Sequence, residues 1–298
     1  MLTLARAVDL FLGEQIPSTR KSYMYVLFAM RDYVGPARPL DTIAAEYLIE
    51  HMQAIRQRPD VKSNATVNKH VKTIRTFFNW CVNQGFIASS PAKGLRYRRH
   101  AEAIPREKAM PNYLYEKLVD YARWNPRLHS LVLFLGDTGC RIGGAAGLRW
   151  NDIDFTHSTA VVTEKGKPPR EVFFGQECRA VLLRWREQHP MTDGDYVFSA
   201  KGQRILNDNL GQFFRRHCEV AGIGSWGPHS LRHRKGHQLA DARVAPSVAA
   251  RALGDTVEVT MKYYYPDDLE RVKEAIQDLA YRDAPKPSLQ SKVKRFGS

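Results

Sequence analysis

Residues 151–174, NDIDFTHSTAVVTEKGKPPREVFF, decide the fold class of this chain. Valine and phenylalanine occur on both sides of the turn EKGK at residues 164–167, and threonine occurs before it, which is typical of short strands joined by a hairpin. The segments on either side of this stretch have apolar residues at helical spacing instead. The sequence therefore predicts a mainly α protein with a small antiparallel β-sheet.

Helices surround the predicted hairpin on both sides. The spacing predicts helices over 111–123 and 126–138 before it, and over 179–188, 207–221, a stretch following His229, and 267–281 after it. In the first hundred residues, Ser18 is a candidate N-cap, another helix follows Asp41, and a third begins near Ser63 and ends near Gly85. The first of these helices has apolar positions at Tyr23, Val26, Leu27, Met30 and Val34. We expect roughly the first hundred residues to form a small all-helical domain.

A change of composition indicates where the domains meet. Residues 95–108, LRYRRHAEAIPREK, have no sustained apolar period, are rich in arginine and contain Pro105, as expected of a basic linker. The last sixteen residues have two prolines and four basic residues, and few side chains to bury. The sequence predicts a helical domain over 1–95, a linker over 96–108, a mixed α/β domain over 109–282 and a flexible basic tail over 283–298.

Charge and composition narrow the classes of function. The chain has 298 residues and a formal net charge of +14, which favours a polyanionic partner such as nucleic acid. No apolar run approaches the roughly 18 residues that span a bilayer, and the first thirty residues lack the apolar core of a secretory signal. The four cysteines are far apart, which argues against a disulfide framework and a zinc site. We expect an intracellular protein with reduced, mostly buried thiols.

Several familiar catalytic signatures are absent from the sequence. It contains no P-loop motif GxxxxGK[ST], no GxSxG and no HExxH. Nucleotide-driven chemistry, the common serine hydrolases and the zinc proteases therefore lose their main support.

A different ordered set of motifs remains. It consists of TGCRIGG with Arg141, the hairpin turn with Lys165, PHSLRH with His229 and Arg232, and LGDTVEVTMKYYYP at 253–266. In this order the motifs resemble those of the tyrosine recombinase, or phage integrase, family. Two stretches, TRKSYMYVLFAMRDY at 19–33 and NATVNKHVKTIRTFFNWCVNQGFIASSPAKGLR at 64–96, are similar to that family's helical core-binding domain. The resemblance implies a core-binding domain followed by a catalytic domain of the tyrosine-recombinase type.

The resemblance also implies a chemical role for each motif. Fixed guanidinium groups suit the charge that develops on phosphate oxygens during displacement, and Arg141 and Arg232 match these positions. Lys165 matches the lysine that protonates the departing 5′ oxygen, with Lys167 as the alternative. His229 is expected to exchange a proton near the tyrosine and the phosphate.

The nucleophile has two candidates. Counting nine residues from Asp255, which stands where the family has histidine in LGH, gives Tyr264; matching the family's ending RYxHP to KYYYP gives Tyr263. We favour Tyr264, and expect the others, Tyr265 included, to be packing or DNA-facing aromatic residues. A phosphotyrosyl ester retains the bond energy of the DNA backbone, so the resemblance implies no metal, ATP or other cofactor.

Two positions depart from the family pattern. Gly144 stands where the family commonly has a glutamate three residues after the first arginine, which predicts the loss of a supporting hydrogen-bond partner. Asp255 replaces the histidine of LGH, and its negative charge would repel the phosphate unless it is protonated, points away or orients another residue.

The expected partner is double-stranded DNA carrying short inverted-repeat core sites. The resemblance implies a homo-tetramer on DNA that exchanges strands through a Holliday junction, and a monomer or dimer off DNA. It implies a cytoplasmic, nucleoid-associated protein of a prokaryote, phage or mobile element. Alternatives are a catalytically impaired DNA-binding protein of the same fold and a type IB topoisomerase-like nicking and resealing enzyme. The candidate DNA-binding residues are Arg96, Arg98, Arg99, Lys69, Lys72, Arg75 and Lys167.

Overall fold

The computed structural model describes residues 1–61, 63–98, 106–188, 192, 194–199, 201–265, 273, 276 and 277. The chain divides into two compact units, Met1–Ala101 and Glu102–Ser298. Residues 99–105 of the predicted linker, which include the candidate DNA-binding residue Arg99, lie outside the described residues. The predicted tail over 283–298 lies outside them as well. Of the helix predicted over 267–281, only residues 273, 276 and 277 are described, and they are helical.

The described part of the first unit is built from four α-helices, α1 (Leu4–Gly13), α2 (Pro17–Val34), α3 (Ala45–Gln57) and α4 (Asn64–Asn83). Ser63 caps α4 as predicted, since its hydroxyl accepts a hydrogen bond from the N–H of Thr66 at 3.2 Å. The prediction of Ser18 as the N-cap of α2 was wrong. The N-cap is Ile16 and the helix begins at Pro17, two residues earlier than Ser18 would place it, because proline has the φ angle of a first helical turn and needs no N–H partner there.

One apolar core holds the first unit together. The predicted positions Val26, Leu27, Met30 and Val34 are buried, and Tyr23 is packed against them. Helix α1, which the sequence analysis did not identify, adds Phe11 to the same core. The core therefore joins all four helices.

The described part of the second unit contains eight α-helices around a small sheet. They are α5 (Asn112–Ala122), α6 (Pro126–Thr138), α7 (Ile142–Gly147), α8 (Gln176–Gln188), α9 (Asn207–Val220), α10 (His229–Asp241), α11 (Pro246–Leu253) and α12 (Val257–Tyr264). The predicted helices over 111–123, 126–138, 179–188 and 207–221 and after His229 are confirmed within a few residues. Helices α7, α11 and α12 were not predicted, because six to eight residues are too few to show a helical period.

The predicted hairpin forms part of a three-stranded antiparallel sheet. Its strands are β1 (Ile153–Asp154), β2 (Thr159–Val162) and β3 (Arg170–Phe173), in the order β1-β2-β3. Val162 pairs with Arg170, so residues 163–169 form the turn between β2 and β3. The structure thus confirms the predicted mainly α fold with a small antiparallel sheet.

Helix α6 is the centre of the second unit. It is apolar on nearly all sides, and it packs against α5, α8 and α10. A helix that is apolar all round is stable only when it is surrounded. Because α6 is fixed in this way, its C-terminal end gives a rigid starting point for the segment that follows it.

Candidate active site

Arg141 lies directly after the end of α6. Gly139 ends the helix with a φ of +59°, which an L-residue rarely adopts, and a Cβ there would lie 2.9 Å from Leu253. Arg141 is then the N-cap of α7. The TGCRIGG motif therefore forms a helix end, a close contact and a new helix start, which together fix the backbone of Arg141.

Arg232 lies in the first turn of α10, and its side chain is only 2% exposed. Its Nη1 donates hydrogen bonds to the carbonyl oxygens of Gly139 at 2.9 Å and Leu253 at 2.7 Å. These two oxygens lie at the ends of α6 and α11. The guanidinium of Arg232 therefore joins three helices and is held in one orientation.

Asp255 connects the two arginines. It follows Gly254, the left-handed residue that ends α11, and its carboxylate is 9% exposed. One oxygen accepts from Nη2 of Arg141 at 2.6 Å and the other from Nη2 of Arg232 at 2.5 Å. The sequence analysis expected Asp255 to repel a phosphate unless it is protonated, points away or orients another residue. The structure shows the last of these, because the carboxylate orients both arginines.

Glu164 is a second buried carboxylate in the site, and the sequence analysis missed it. It accepts a hydrogen bond from the backbone N–H of Arg141 at 2.7 Å and forms an ion pair with the guanidinium of the same residue. Arg141 therefore keeps a carboxylate partner, which compensates for the one that Gly144 cannot supply. The available signal was a glutamate directly before Lys165, but a glutamate in a hairpin turn is usually solvated.

Tyr264 is buried at the end of α12, with 3% of its surface exposed. Its hydroxyl lies 3.1 Å from Nδ1 of His233, and burial raises the pKa of Tyr264 to about 12. The charges of Arg232 and Arg141 act in the opposite direction, and that of Asp255 adds to the effect of burial. Tyr264 therefore lies within the electrostatic reach of both arginines.

The neighbouring tyrosines have different surroundings. Tyr263 is half-buried, beside the small cluster formed by Ala240, Leu253 and Tyr264. Tyr265 donates its hydroxyl hydrogen to the carbonyl of Val244 at 2.7 Å. That bond gives Tyr265 a packing role, in agreement with the sequence analysis.

Two histidines accompany the tyrosine. The predicted His229 is the first residue of α10, and its ring lies edge-on to that of His233, with 4.9 Å between centroids. Desolvation, then the charges of Arg232 and Arg141, lower the pKa of His229. Burial, followed by the neighbouring histidines, lowers the pKa of His233 to about 4, so it is neutral near pH 7. The sequence analysis missed His233, although the motif PHSLRH contains it.

The candidate lysines, Lys165 and Lys167, are both exposed on the turn between β2 and β3. Lys165 directly follows Glu164, so the contact of Glu164 with Arg141 fixes the base of this turn. The structure thus brings Arg141, Arg232, Asp255 and Tyr264 together, and attaches the lysine turn to them.

The candidate DNA-binding residues of the first unit lie on α4 and on the segment after it. Lys69, Lys72, Arg96 and Arg98 are exposed. The side chain of Asn68 binds both backbone groups of Arg98, at 2.7 and 2.8 Å, which holds this segment against α4. Arg75 is half-buried, with its guanidinium over the ring of Tyr97. These residues therefore belong to one basic region of the first unit.

The cysteines are all buried, and none is bonded to another. Burial raises the pKa of Cys140, next to Arg141, to about 11, so its thiol stays protonated near neutral pH. Among the described residues, no cluster of three histidine, cysteine or acidic side chains is arranged to hold a metal ion. No helix in the described part of the chain is long and apolar enough to cross a membrane.

Comparison with known proteins gives a consistent result. The sequence model of the phage integrase family matches residues 110–270 of the chain. The tyrosine recombinase XerC of Alcanivorax borkumensis is 24% identical over 267 residues, which cover 86% of this chain and 85% of that protein. The match to this relative thus extends over both units, whereas the family model lies within the second.

Solved structures show the same fold. The Tn1549 transposon integrase, determined in complex with transposon right end DNA, has a TM-score of 0.75 at 16% identity and covers 94% of this chain and 100% of that chain. A lambda integrase tetramer bound to a Holliday junction has a TM-score of 0.66 at 17% identity and covers 85% of this chain and 73% of that chain.

Proposed function

The chain belongs to the phage integrase family of tyrosine recombinases, and on that premise we propose that it cleaves and rejoins DNA through a covalent 3′-phosphotyrosyl intermediate. One observation carries this proposal. Arg141 and Arg232, from distant parts of the sequence, are held on one carboxylate within the electrostatic reach of the buried Tyr264. Two fixed cations beside a tyrosine suit an attack on a phosphodiester, because they neutralise the charge that develops on the non-bridging oxygens.

The first step forms one bond and breaks another. The hydroxyl oxygen of Tyr264 attacks the phosphorus, and the bond to the 5′ oxygen of the next nucleotide breaks. His233 is the nearest acceptor for the phenol proton, with His229 beside it. The pKa of Tyr264 is about 12 and that of His233 about 4, so we expect the proton to move only as the new bond forms.

The departing 5′ oxygen needs a proton, which we assign to Lys165 on the exposed turn, with Lys167 as the alternative. Rejoining reverses the chemistry: the 5′ hydroxyl of a second strand attacks the phosphotyrosine and releases Tyr264. One phosphoester is exchanged for another at each step, so the reaction as proposed needs neither ATP nor a metal ion.

The proposed substrate is double-stranded DNA with short inverted-repeat sites, exchanged through a Holliday junction by a tetramer, inside a bacterial cell. The integrase structures on DNA, including the tetramer on a Holliday junction, support this proposal. So do the exposed basic residues Lys69 and Lys72 in the proposed DNA-binding domain, residues 1–95, and Arg96 and Arg98 in the segment directly after it. We propose residues 109–282 as the catalytic domain.

A covalent adduct tests the proposal directly. The full chain is incubated, with chelator and without ATP, with nicked duplexes that carry inverted repeats taken from DNA near its gene. We expect a protein–DNA adduct on a denaturing gel that is lost in Tyr264→Phe and kept in the matched variants Tyr263→Phe and Tyr265→Phe.

Other outcomes identify the alternatives. Loss of the adduct only in Tyr263→Phe would move the nucleophile by one residue. Tight binding without an adduct would indicate a DNA-binding protein that has lost cleavage. Relaxation of supercoiled DNA that lacks paired sites would indicate a type IB topoisomerase-like enzyme.

A further inference from the structure

We propose that Glu164 is the positioning residue that sets both Arg141 and the lysine turn for phosphate chemistry, a role that rests on the proposed function. It reaches the site from the hairpin, and thereby replaces the support that Gly144 cannot give from α7.

The contacts of Glu164 are unusually complete for a residue at the start of a turn. Its side chain is 3% exposed. One oxygen accepts from the backbone N–H of Arg141 at 2.7 Å, and the other pairs with Nη1 of the same residue. The carboxylate therefore fixes both the backbone and the guanidinium of Arg141, which few side chains can do at once.

A third contact extends this arrangement to the loop of Asp255. Nη2 of Arg170, on β3, lies 3.4 Å from Glu164, and Nη1 of Arg170 donates to the carbonyl of Ala252 at 2.7 Å. Ala252 lies in the last turn of α11, three residues before Asp255. Glu164 is therefore bonded to Arg141 on one side and, through Arg170, to the segment that carries Asp255 on the other.

Gly144 provides the space for this arrangement. A Cβ at residue 144 would lie 3.4 Å from Cγ of Glu164 and 3.6 Å from its Oε1. A glutamate at 144 would need the volume that the Glu164 side chain already fills. A glutamate at residue 144 on α7 and the glutamate at residue 164 in the hairpin therefore cannot occupy this space together. This chain has the glutamate in the hairpin.

The site has a net positive charge, which suits an anionic substrate. Arg141, Arg170 and Arg232 supply three positive charges, and Glu164 and Asp255 supply two negative ones. Burial opposes ionisation of Glu164, but the N–H of Arg141 and the charges of Arg170 and Arg141 outweigh it and hold its pKa below the usual value. These five groups leave one unit of positive charge and the lysine of the turn adds to it, so the site attracts the negatively charged phosphodiester group.

The position of Glu164 in the sequence gives it a second effect. It directly precedes Lys165, so any shift of Glu164 also moves the base of the lysine turn. Loss of the carboxylate should therefore misplace both the arginine that binds phosphate and the lysine that protonates the leaving oxygen, while DNA contacts of the first unit stay intact.

Glu164→Gln tests this role, since it keeps the shape and removes the charge. We expect adduct formation on the nicked duplex to slow by about 10- to 100-fold, because small misplacements of reacting groups cost rates of this order. The affinity for DNA should change little. The matched control is Glu171→Gln, an exposed glutamate on β3 of the same hairpin, which should react at the wild-type rate.

Relocating the carboxylate separates positioning from folding. Glu164→Ala should be slow, and adding Gly144→Glu in the space thus vacated should restore at least part of the rate. An unchanged rate in Glu164→Gln, or a folded double variant no faster than Glu164→Ala, would overturn the inference. If Glu164→Ala does not fold, a double variant that folds and forms the adduct supports the inference. If neither of these variants folds, the rate of adduct formation by Glu164→Gln is the test. Absence of an adduct in the wild type would instead contradict the proposed function.

Discussion

At the scale of single residues, Asp255 holds the two arginines of the site, Arg141 and Arg232, next to each other. Two guanidinium groups that share one neighbour would repel each other, and Arg232 is buried. The carboxylate between them removes the repulsion and supplies each with a charge-assisted hydrogen bond. A negative residue beside a phosphate site is therefore consistent with activity, because its charge is already matched by two arginines.

We predict that Asp255→Asn lowers the free energy of unfolding by about 3 kcal/mol, since removing one member of a buried ion pair leaves a buried charge without compensation. Added inorganic phosphate should raise the Tm of the variant more than that of the wild type, because the two guanidinium groups, no longer neutralised by a carboxylate, attract the anion more strongly. Thermal unfolding with and without phosphate measures both effects.

Asp241→Asn is the matched control for this experiment. Asp241 also pairs with an arginine, Arg106, but both side chains are about half exposed or more, at 48% and 67%. Its loss should cost under about 1 kcal/mol. Equal phosphate responses of Asp255→Asn and the wild type would contradict the bridging role of Asp255.

At the scale of elements, the contact of α12 with α10 sets the position of Tyr264, the proposed nucleophile. The ring of Tyr264 lies against the backbone of Gly236 and edge-on to His237, at 5.3 Å between centroids. A Cβ at Gly236 would lie 2.5 Å from the ring. Glycine is therefore required for this close approach of a helix and an aromatic ring.

Gly236→Ala should displace Tyr264 and weaken the packing of α12. We expect a loss of about 1–3 kcal/mol in the free energy of unfolding, as for other overpacked sites, and slower adduct formation. Denaturant unfolding and the nicked-duplex assay measure the two.

The matched control is Gly211→Ala in α9, where a Cβ would meet no heavy atom within 4 Å. It should be neutral or stabilise by up to about 1 kcal/mol, because alanine favours a helix more than glycine does. If Gly236→Ala were as stable as this control, the close packing of Tyr264 on α10 would be disproved.

At the scale of the whole molecule, each of the two units contains a buried histidine that is neutral in the folded state near pH 7. In the second unit it is His233, in the site. In the first it is His51, whose pKa is lowered from 6.5 to about 4 by burial, then by His70 and Arg58. Each unit therefore has a group that resists protonation only while it is folded.

Acid should consequently destabilise the protein before its carboxylates titrate. The folded-state pKa of His51 is below the unfolded value, so its contribution is fully present above about pH 6.5 and is lost as the pH falls towards 4. The loss amounts to about 3 kcal/mol at most. We predict that His51→Gln shows a smaller drop in Tm between about pH 7.5 and about pH 5 than the wild type does.

His157→Gln controls for a change of charge at the surface. His157 is exposed and paired with Asp154, a bond that raises its pKa, so its replacement should not reduce the sensitivity to acid. The same loss of Tm in His51→Gln and the wild type would show that His51 is not responsible.

The sequence by itself determined much of this protein. Helical spacing and a hairpin turn predicted the long helices and the sheet, because both are local patterns. The order of the motifs predicted Arg141, His229, Arg232 and Tyr264 as residues of the site, since each lies in a short recognisable sequence.

Only the tertiary structure decided how these residues are supported. Glu164 and Asp255 are close to Arg141 in space and far from it in sequence, and no local pattern records such a contact. Similarly, the burial of Tyr264 beside His233 and Gly236 depends on the packing of a short helix whose period is too brief to detect. The chemistry of the site is thus local in sequence, but its geometry results from contacts between distant segments.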